Sequence, residues 1–572
     1  MDLRAQAERW LAEDPDPQTR AELAGLIERS DEAGIADRFA QRLEFGTAGI
    51  RGPLGAGPNR MNRAVVRRVT AGLAARLREA DPGAAARGLV VGRDARHRSD
   101  EFAHDTAAVL AGAGIGVRQF DEPVPTPLLA FAVRALRAGG GVQITASHNP
   151  ASDNGYKVYG SDGAQIAPPV DAEIAAAIER IESLEDIPVA TGSPLVRPVP
   201  PVVREAYLDA ALGLALHPAH RDLSIVYTPL HGVAGELCGE LLTRAGFTGV
   251  RMVPAQADPD PDFPTVAFPN PETPGALDLA LSLAGQAGAD LVIANDPDGD
   301  RIAAAVPGPS GRLLTGDEVG CLLAEYLLAE GGGGPERVVA TTVVSSQLLA
   351  RIAEAHGVGY AETLTGFKWL AREAERAQAD HRRLVLAYEQ ALGVMVGDTV
   401  RDKDGISAAL VLAELAAWLK ARGRTLLDAL DDLAQRFGVY TTKGWSVRLE
   451  GARGMALVSE TLDRLRTDPP PAVDGTAVVA VADHAEGVRR HTHGAVEPLA
   501  TPPTDLVGLT LADGSRLQIR PSGTEPLLKL YAEVIEPVTD GDVSAARGRA
   551  SQRLGALAAA FQRIAFAEDP EG

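Results

Sequence analysis

Apolar residues recur at helical spacing over residues 1 to about 40, where Trp10, Leu11, Leu23, Leu26 and Ile27 stand among charges, and this predicts helices. Beyond that point the pattern becomes short apolar runs, each followed by a polar loop and a helical stretch. Residues 88–92 read Gly-Leu-Val-Val-Gly, a buried-strand pattern, with Arg93-Asp94-Ala95-Arg96 after them, a helix predicted over 99–113 and then Gly116-Val117. A second helix follows the proline-spaced stretch 122–127, and 141–144 is again strand-like. Asn154-Gly155 reads as a turn and Tyr156-Lys157-Val158-Tyr159 behind it as an alternating strand. Residues 190–203 are proline-rich and aperiodic, which predicts a linker.

The rhythm resumes near Val203. Strands are predicted at 223–227 and 289–294, a helix through 237–242, and a long loop over 254–275. From about 318 come a strand at 338–344, a helix from Ser346, a strand at 384–388 and a long alanine/leucine helix to about 422. From about 438 the last stretch carries 517–526 and an alternating strand over 528–534. Alternating strands and helices predict an α/β fold, and the boundaries divide the chain into 1–200, 201–317, 318–437 and 438–572. At 572 residues the chain is long enough for several cores.

Composition narrows the function. A net charge of −21 argues against general nucleic-acid binding, so an anionic substrate needs a local cluster of Arg and Lys. The two cysteines, Cys238 and Cys321, have no metal-ligand spacing and no disulfide framework. The first twenty residues contain acids and no apolar core of a signal peptide, and no apolar run is long enough to span a membrane. A soluble cytoplasmic protein without nucleic-acid or membrane partners is expected.

Four polar loops carry candidate chemistry. Thr145-Ala146-Ser147-His148-Asn149-Pro150 puts a hydroxyl nucleophile beside an imidazole just past a strand, although these are also ordinary turn residues. Asp296-Pro297-Asp298-Gly299-Asp300-Arg301 sets three alternating carboxylates on a turn, a pattern that converges oxygens on a hard divalent cation such as Mg²⁺. The EF-hand reading fails, because the preceding run is β-like and the twelfth loop position is Pro307. Glu389 closes an apolar run and is placed to accept sugar hydroxyls, or to start a helix. Arg520, Ser522, Gly523 and Thr524 form a phosphate cradle that lacks the nucleotide P-loop pattern. Arg51, inside a glycine-rich stretch, can fork onto a phosphate or be solvated, and Lys157 can act as acid, base or charge clamp.

Taken together, FGTAGIRG at 45–52, TASHNP at 145–150, DPDGDR at 296–301, YEQALG at 388–393 and RPSGTEP at 520–526 resemble the α-D-phosphohexomutase superfamily, the phosphoglucomutases and phosphomannomutases. GFKW at 366–369 and VRDKDGI at 400–406 are similar to the branch with phosphopentomutase-like members. The resemblance implies three similar mixed-sheet α/β domains and a smaller C-terminal α+β domain around a central cleft. It implies a phosphoserine at Ser147, Mg²⁺ held by Ser147, Asp296, Asp298 and Asp300, and Arg51, His148 and Lys157 near the transferring phosphoryl group. Arg301, Lys368, Glu389, Arg520, Ser522, Gly523 and Thr524 become the substrate-binding set. The implied activity moves a phosphoryl group between the 1- and 6- (or 5-) positions of a sugar through a bisphosphate, with a sugar bisphosphate as activator and a monomer or homodimer as the active form. Phosphoglucomutase/phosphomannomutase activity comes first, with phosphopentomutase, sugar-bisphosphate synthase and a serine-dependent phosphatase as alternatives. One position departs from the resemblance. Many relatives have Glu-x-Ser where this chain has Glu389-Gln390-Ala391, so one hydroxyl to the sugar is missing, a hydrogen bond of roughly 0.5–1.5 kcal/mol.

Overall fold

A computed structural model of the chain describes residues 2–46, 49–308, 311–448, 454–521 and 527–566. It divides into two compact units, Met1–Thr315 with Leu392–Gly423, and Gly316–Ala391 with Arg424–Gly572. The predicted N-terminal helices are Leu3–Glu13, Pro17–Glu28 and Glu32–Phe39, each with an aspartate at its start whose side chain accepts from a backbone N–H of the first turn.

One parallel triplet recurs three times. Leu89–Arg93 lies between Val117–Gln119 and Gly140–Ile144. Ser224–Thr228 lies between Gly249–Met252 and Leu291–Asn295. Arg337–Thr342 lies between Gly359–Thr363 and Arg383–Glu389. In the first two sheets an antiparallel strand, Asp153–Gly160 or Ile302–Val306, then pairs with the third member. The C-terminal sheet is antiparallel, built on Val439–Arg448, Leu527–Glu536, Arg516–Pro521, Val507–Leu511 and Thr476–Asp483, and is backed by the helix Val543–Ala565. The predicted fold class is thereby met. Among the described residues, no helix is long and apolar enough to cross a membrane.

The triplet explains where chemistry sits. Thr145 to Pro150 follows Gly140–Ile144, Asp296 to Arg301 follows Leu291–Asn295, and Glu389 ends Arg383–Glu389. Each is the carboxyl end of the third strand of its triplet, an edge at which open α/β sheets place ligands.

Two expectations are corrected. Asn154-Gly155 is not a turn but part of the strand Asp153–Gly160, where Gly155 pairs with Arg51. A Cβ there would lie 2.5 Å from the Thr145 carbonyl oxygen and 3.0 Å from that of Ile50, so the glycine serves close strand approach. The supposed linker at 190–203 contains the strand Val196–Pro198, which pairs in parallel with Val117–Gln119, and the helix Val202–Leu212 begins at its end. Proline is tolerated there because the strand is the sheet's edge. The helix Gly405–Lys420 forms as its alanines and leucines predict, and it packs in the first compact unit.

Gly320, inside the helix Gly316–Gly331, faces the ring of the fully buried Tyr388. An added Cβ would stand 2.4–2.6 Å from ring carbons held in place by the Tyr388 hydroxyl, which donates to Asp317 Oδ1 at 3.1 Å. Gly320→Ala should therefore cost about 1–3 kcal/mol by overpacking, reversing the roughly 0.5–1 kcal/mol that alanine normally adds in a helix. A urea unfolding midpoint that rises in this variant would refute the packing.

Candidate functional site

The Ser147 loop is fixed from beneath. Arg96 is 4% exposed and pairs with the equally buried Asp94 at 3.3 Å. Its guanidinium donates to the carbonyl oxygens of Ser147 (2.8 Å), Pro150 (2.7 Å) and Asp153 (3.1 Å), and also to that of Asn149. The five donors of an arginine fork can span such a set, whereas a point-charge ammonium cannot. Ser147 itself has φ 54°, the left-handed region, and its N–H donates to Thr145 Oγ1 at 2.9 Å. That geometry turns the side chain toward the acidic loop. Ser147 Oγ donates to Asp296 Oδ2 at 3.0 Å and lies 3.1 Å from His148 Nδ1.

Asp296, Asp298 and Asp300 are fully buried, and one carboxylate oxygen from each lies within 4.8 Å of the others. Gly299 sits at φ 72° between them, making the tight turn that brings the three together. The Arg301 N–H donates to Asp296 Oδ1 at 2.9 Å. Lys157 Nζ donates to Asp298 Oδ2 (2.7 Å) and Asp300 Oδ2 (2.8 Å), Thr126 Oγ1 donates to Asp298 Oδ2 (2.7 Å), and Lys403 Nζ stands 3.1 Å from both Asp300 Oδ2 and Asp402 Oδ1. Asp298 Oδ1 and Asp300 Oδ1 are buried and accept no hydrogen bond among the described residues. Two orphaned carboxylate oxygens beside Asp296 Oδ2 are a donor set suited to a hard divalent cation, so these residues fit Mg²⁺.

The electrostatics follow from burial and neighbours. Burial and the Asp300 charge push Asp298 up to about 6, and the same two causes raise Asp296. Burial also works to raise Asp300, but Lys157, Lys403 and Arg301 outweigh it and hold its carboxyl below the usual range. Lys157 is the mirror case: burial opposes its charge, and Asp298 and Asp300 overcome that and hold it as an ammonium. His148 is pushed down to about 2, first by burial and then by the Arg301 charge, with Arg51 adding to it, so its ring is neutral. The ring also meets Phe268 edge-on, with centroids 6.3 Å apart.

The sequence-predicted residues therefore fall in two groups. Ser147, His148, Lys157, Asp296, Asp298, Asp300 and Arg301 converge in the first unit, and Arg51 is exposed on the strand Ile50–Pro53 opposite Gly155. Glu389 and Lys368 both lie in the second unit: the Gly366 N–H donates to Glu389 Oε1 at 2.6 Å, and Lys368, in the first turn of the helix Phe367–Ala379, has its Nζ 5.4 Å from the Trp369 ring centre. Arg520 is on Arg516–Pro521, with Nε donating to the Tyr531 hydroxyl at 3.4 Å. Ser522, Gly523 and Thr524 lie outside the described residues.

Sequence reasoning assigned no role to Arg96, Thr126, Lys403 or Asp402. A signal existed for Arg96 and Lys403, since both stand in charged stretches beside an element boundary, Arg93-Asp94-Ala95-Arg96 after a strand and Asp402-Lys403-Asp404 before a helix. Thr126, in a proline-spaced loop, offered none.

Arg96→Ala should lower unfolding free energy by about 3–5 kcal/mol, because it strands the buried Asp94. Arg96→Lys keeps the charge but not the fork. It should retain more stability than the alanine variant yet lose on the order of 100-fold in turnover, the usual scale for a misplaced reacting group. Equal turnover in Arg96→Lys and the parent enzyme, measured alongside melting, would remove Arg96 from the support of Ser147.

Comparison with known proteins gives matches along most of the chain. Models for the phosphoglucomutase/phosphomannomutase α/β/α domains I, II and III match residues 42–185, 205–309 and 315–437, and the model for that family's C-terminal domain matches 476–543. A probable phosphomannomutase of Haemophilus influenzae is 39% identical over 83% of this chain and 93% of its own length. A probable phosphoribomutase of Schizosaccharomyces pombe is 38% identical over 92% and 93%. A putative phosphomannomutase structure from Thermus thermophilus superposes with a TM-score of 0.66 at 24% identity, over 92% of this chain and 99% of that one, a likeness of fold.

Proposed function

The chain belongs to the phosphoglucomutase/phosphomannomutase family, and on that premise we propose that this phosphosugar mutase works with Ser147 as its phosphoryl carrier. One observation carries the reading: Ser147 Oγ sits 3.0 Å from Asp296 Oδ2, whose loop also carries two buried carboxylate oxygens that have no hydrogen-bond partner among the described residues. Asp296, Asp298, Asp300 and a phosphoserine oxygen would hold Mg²⁺, which when bound supplies neutralising charge to the transferring phosphoryl group.

The chain's own residues account for the rest. A free hydroxyl of a sugar monophosphate attacks the phosphorus on Ser147. A new P–O bond forms to the sugar, the P–Oγ bond breaks, and the hydroxyl proton leaves to a base. The resulting bisphosphate turns end for end, and Ser147 Oγ takes the other phosphoryl group back. Positioning and charge stabilisation supply most of what such a transfer needs. Lys157 is committed to Asp298 and Asp300 at 2.7 and 2.8 Å, which favours it as a charge clamp. His148 Nδ1 lies 3.1 Å from Ser147 Oγ, and by position it is the group this reading assigns to take the hydroxyl proton. Arg51 and Arg301 add positive charge, Glu389 accepts sugar hydroxyls, and Arg520 with Ser522, Gly523 and Thr524 grips the phosphate that is not reacting. A sugar bisphosphate restores the phosphoserine when it is lost to water. We assign the four-part division at 200, 317 and 437 to phosphoserine-bearing, metal-binding, sugar-binding and phosphate-binding domains, in a cytoplasmic enzyme of small-molecule metabolism.

Hexose phosphates are the first substrates. A pentose reading is favoured by Ala391, which removes a hydroxyl after Glu389-Gln390, together with the relative named a probable phosphoribomutase.

Ser147→Ala should lower mutase turnover at least about 1000-fold, as expected for loss of a covalent carrier, and abolish the phosphoryl mass increment seen after incubation with sugar bisphosphate. Retained turnover would sink the mechanism. Across glucose, mannose, ribose and deoxyribose 1-phosphates, kcat/KM should rank a hexose first. A pentose at the top would select the second reading, and free phosphate without isomerised sugar would mark a phosphatase.

A further inference from the structure

In the second unit, the segment from Val343 to Gln347, just past the strand Arg337–Thr342, is gripped from two sides. The strands that carry and flank Arg520 hold its far face. Gln518 Nε2 donates to the Val343 carbonyl oxygen at 2.7 Å and Arg516 Nη2 to that of Ser345 at 2.7 Å. Glu533 Oε1 accepts from Ser346 Oγ (2.7 Å) and from the Gln347 N–H (2.8 Å). Glu533 is 4% exposed and is paired with Arg516 at 3.1 Å, which also reaches Glu362 at 2.9 Å. Tyr531, which accepts from Arg520, packs on Val343, Val344 and Leu506.

The near face of the same segment meets the sugar-side loop. Ser345, fully buried, places its Oγ 3.0 Å from Gln390 Oε1, to which it donates, and accepts from the Gln390 N–H at 3.2 Å. Gln390 is covalently next to Glu389. One five-residue support thus bears both the strand of Arg520 and the turn of Glu389, and every polar bond in the chain between them is buried or partly buried, where such bonds are strong and their loss is costly.

We propose that Ser345 and the Glu533–Arg516 pair are positioning residues that couple the sugar-hydroxyl acceptor Glu389 to the phosphate-binding strand of Arg520. Engagement of one end of the substrate then pre-orders the other. This rests on the roles given to Glu389 and Arg520 above. A ligand that moves end for end must be read by both groups in each orientation, and a shared hydrogen-bonded support makes the two readings interdependent.

The test is a double-mutant cycle on glucose 6-phosphate affinity, with Glu389→Gln and Arg520→Ala made singly and together in the parent enzyme, and again in a Ser345→Ala background. In the parent the two losses should be non-additive by about fivefold or more, the lower range of measured couplings. In Ser345→Ala, folded by melting temperature, the coupling factor should fall toward one. Glu533→Gln should do the same and raise KM more than it lowers kcat, which a general loss of stability would not do selectively. Additive losses in the parent, or a coupling that survives Ser345→Ala, would overturn the proposal while leaving the functional reading intact. Single variants that change neither affinity nor turnover would overturn that reading and the coupling with it.

Discussion

Three carboxylates buried on one turn repel each other at short range in a medium that screens poorly, and the first unit is built around that constraint. Each neighbouring element contributes a compensating group. The strand Asp153–Gly160 brings Lys157, the segment just before Gly405–Lys420 brings Lys403, and the helix Thr126–Ala135 begins with the Thr126 hydroxyl. This gives a physical reason for Leu392–Gly423 folding with the first 315 residues. Without Lys403, Asp300 would keep only Arg301 and the Lys157 ammonium, for which Asp298 also competes. The compensation is incomplete in a useful way, because one oxygen each of Asp298 and Asp300 accepts no hydrogen bond among the described residues. Protein cations neutralise the turn enough to fold it, and leave the oxygens a divalent ion requires.

The second theme is repetition of one topology with different endings. The third strand of each parallel triplet ends at a candidate residue: Ser147, the proposed phosphoryl carrier, after Gly140–Ile144, the three-aspartate turn after Leu291–Asn295, and Glu389, the proposed sugar acceptor, at the end of Arg383–Glu389. A repeated frame holds the same edge position open, and the loop sequence decides its use.

Most of this was legible in the sequence because the loops follow apolar runs that read clearly as strands, and because each loop concentrates residues of one chemical type. The misreadings have local causes. Asn154-Gly155 has the composition of a turn, yet Asn154 is fully buried and donates to the His97 carbonyl oxygen and Ser99 Oγ, contacts some 55 residues away in sequence that no local pattern encodes. Val196–Pro198 was hidden because proline suppresses strand patterning while still permitting an edge position. Arg96 stood in a charged stretch past a strand, but its role as a support was not readable because four of its partners are backbone carbonyls, which have no residue type. Lys403 was unplaced because the chain leaves the first unit at Thr315 and returns to it only at Leu392.

The left-handed backbone at Ser147 has a consequence for which alcohols this site can use. If Ser147 carries the phosphoryl group as proposed, a threonine hydroxyl would offer the same kind of acceptor oxygen. At φ 54°, however, a β-branched side chain crowds its own backbone and becomes a genuine outlier, whereas serine, with one heavy atom on Cβ, is tolerated. The Arg96 fork holds that backbone conformation in place. The torsion angle at Ser147 thus sets a conformational penalty on threonine at this position, over and above any difference between the two alcohols.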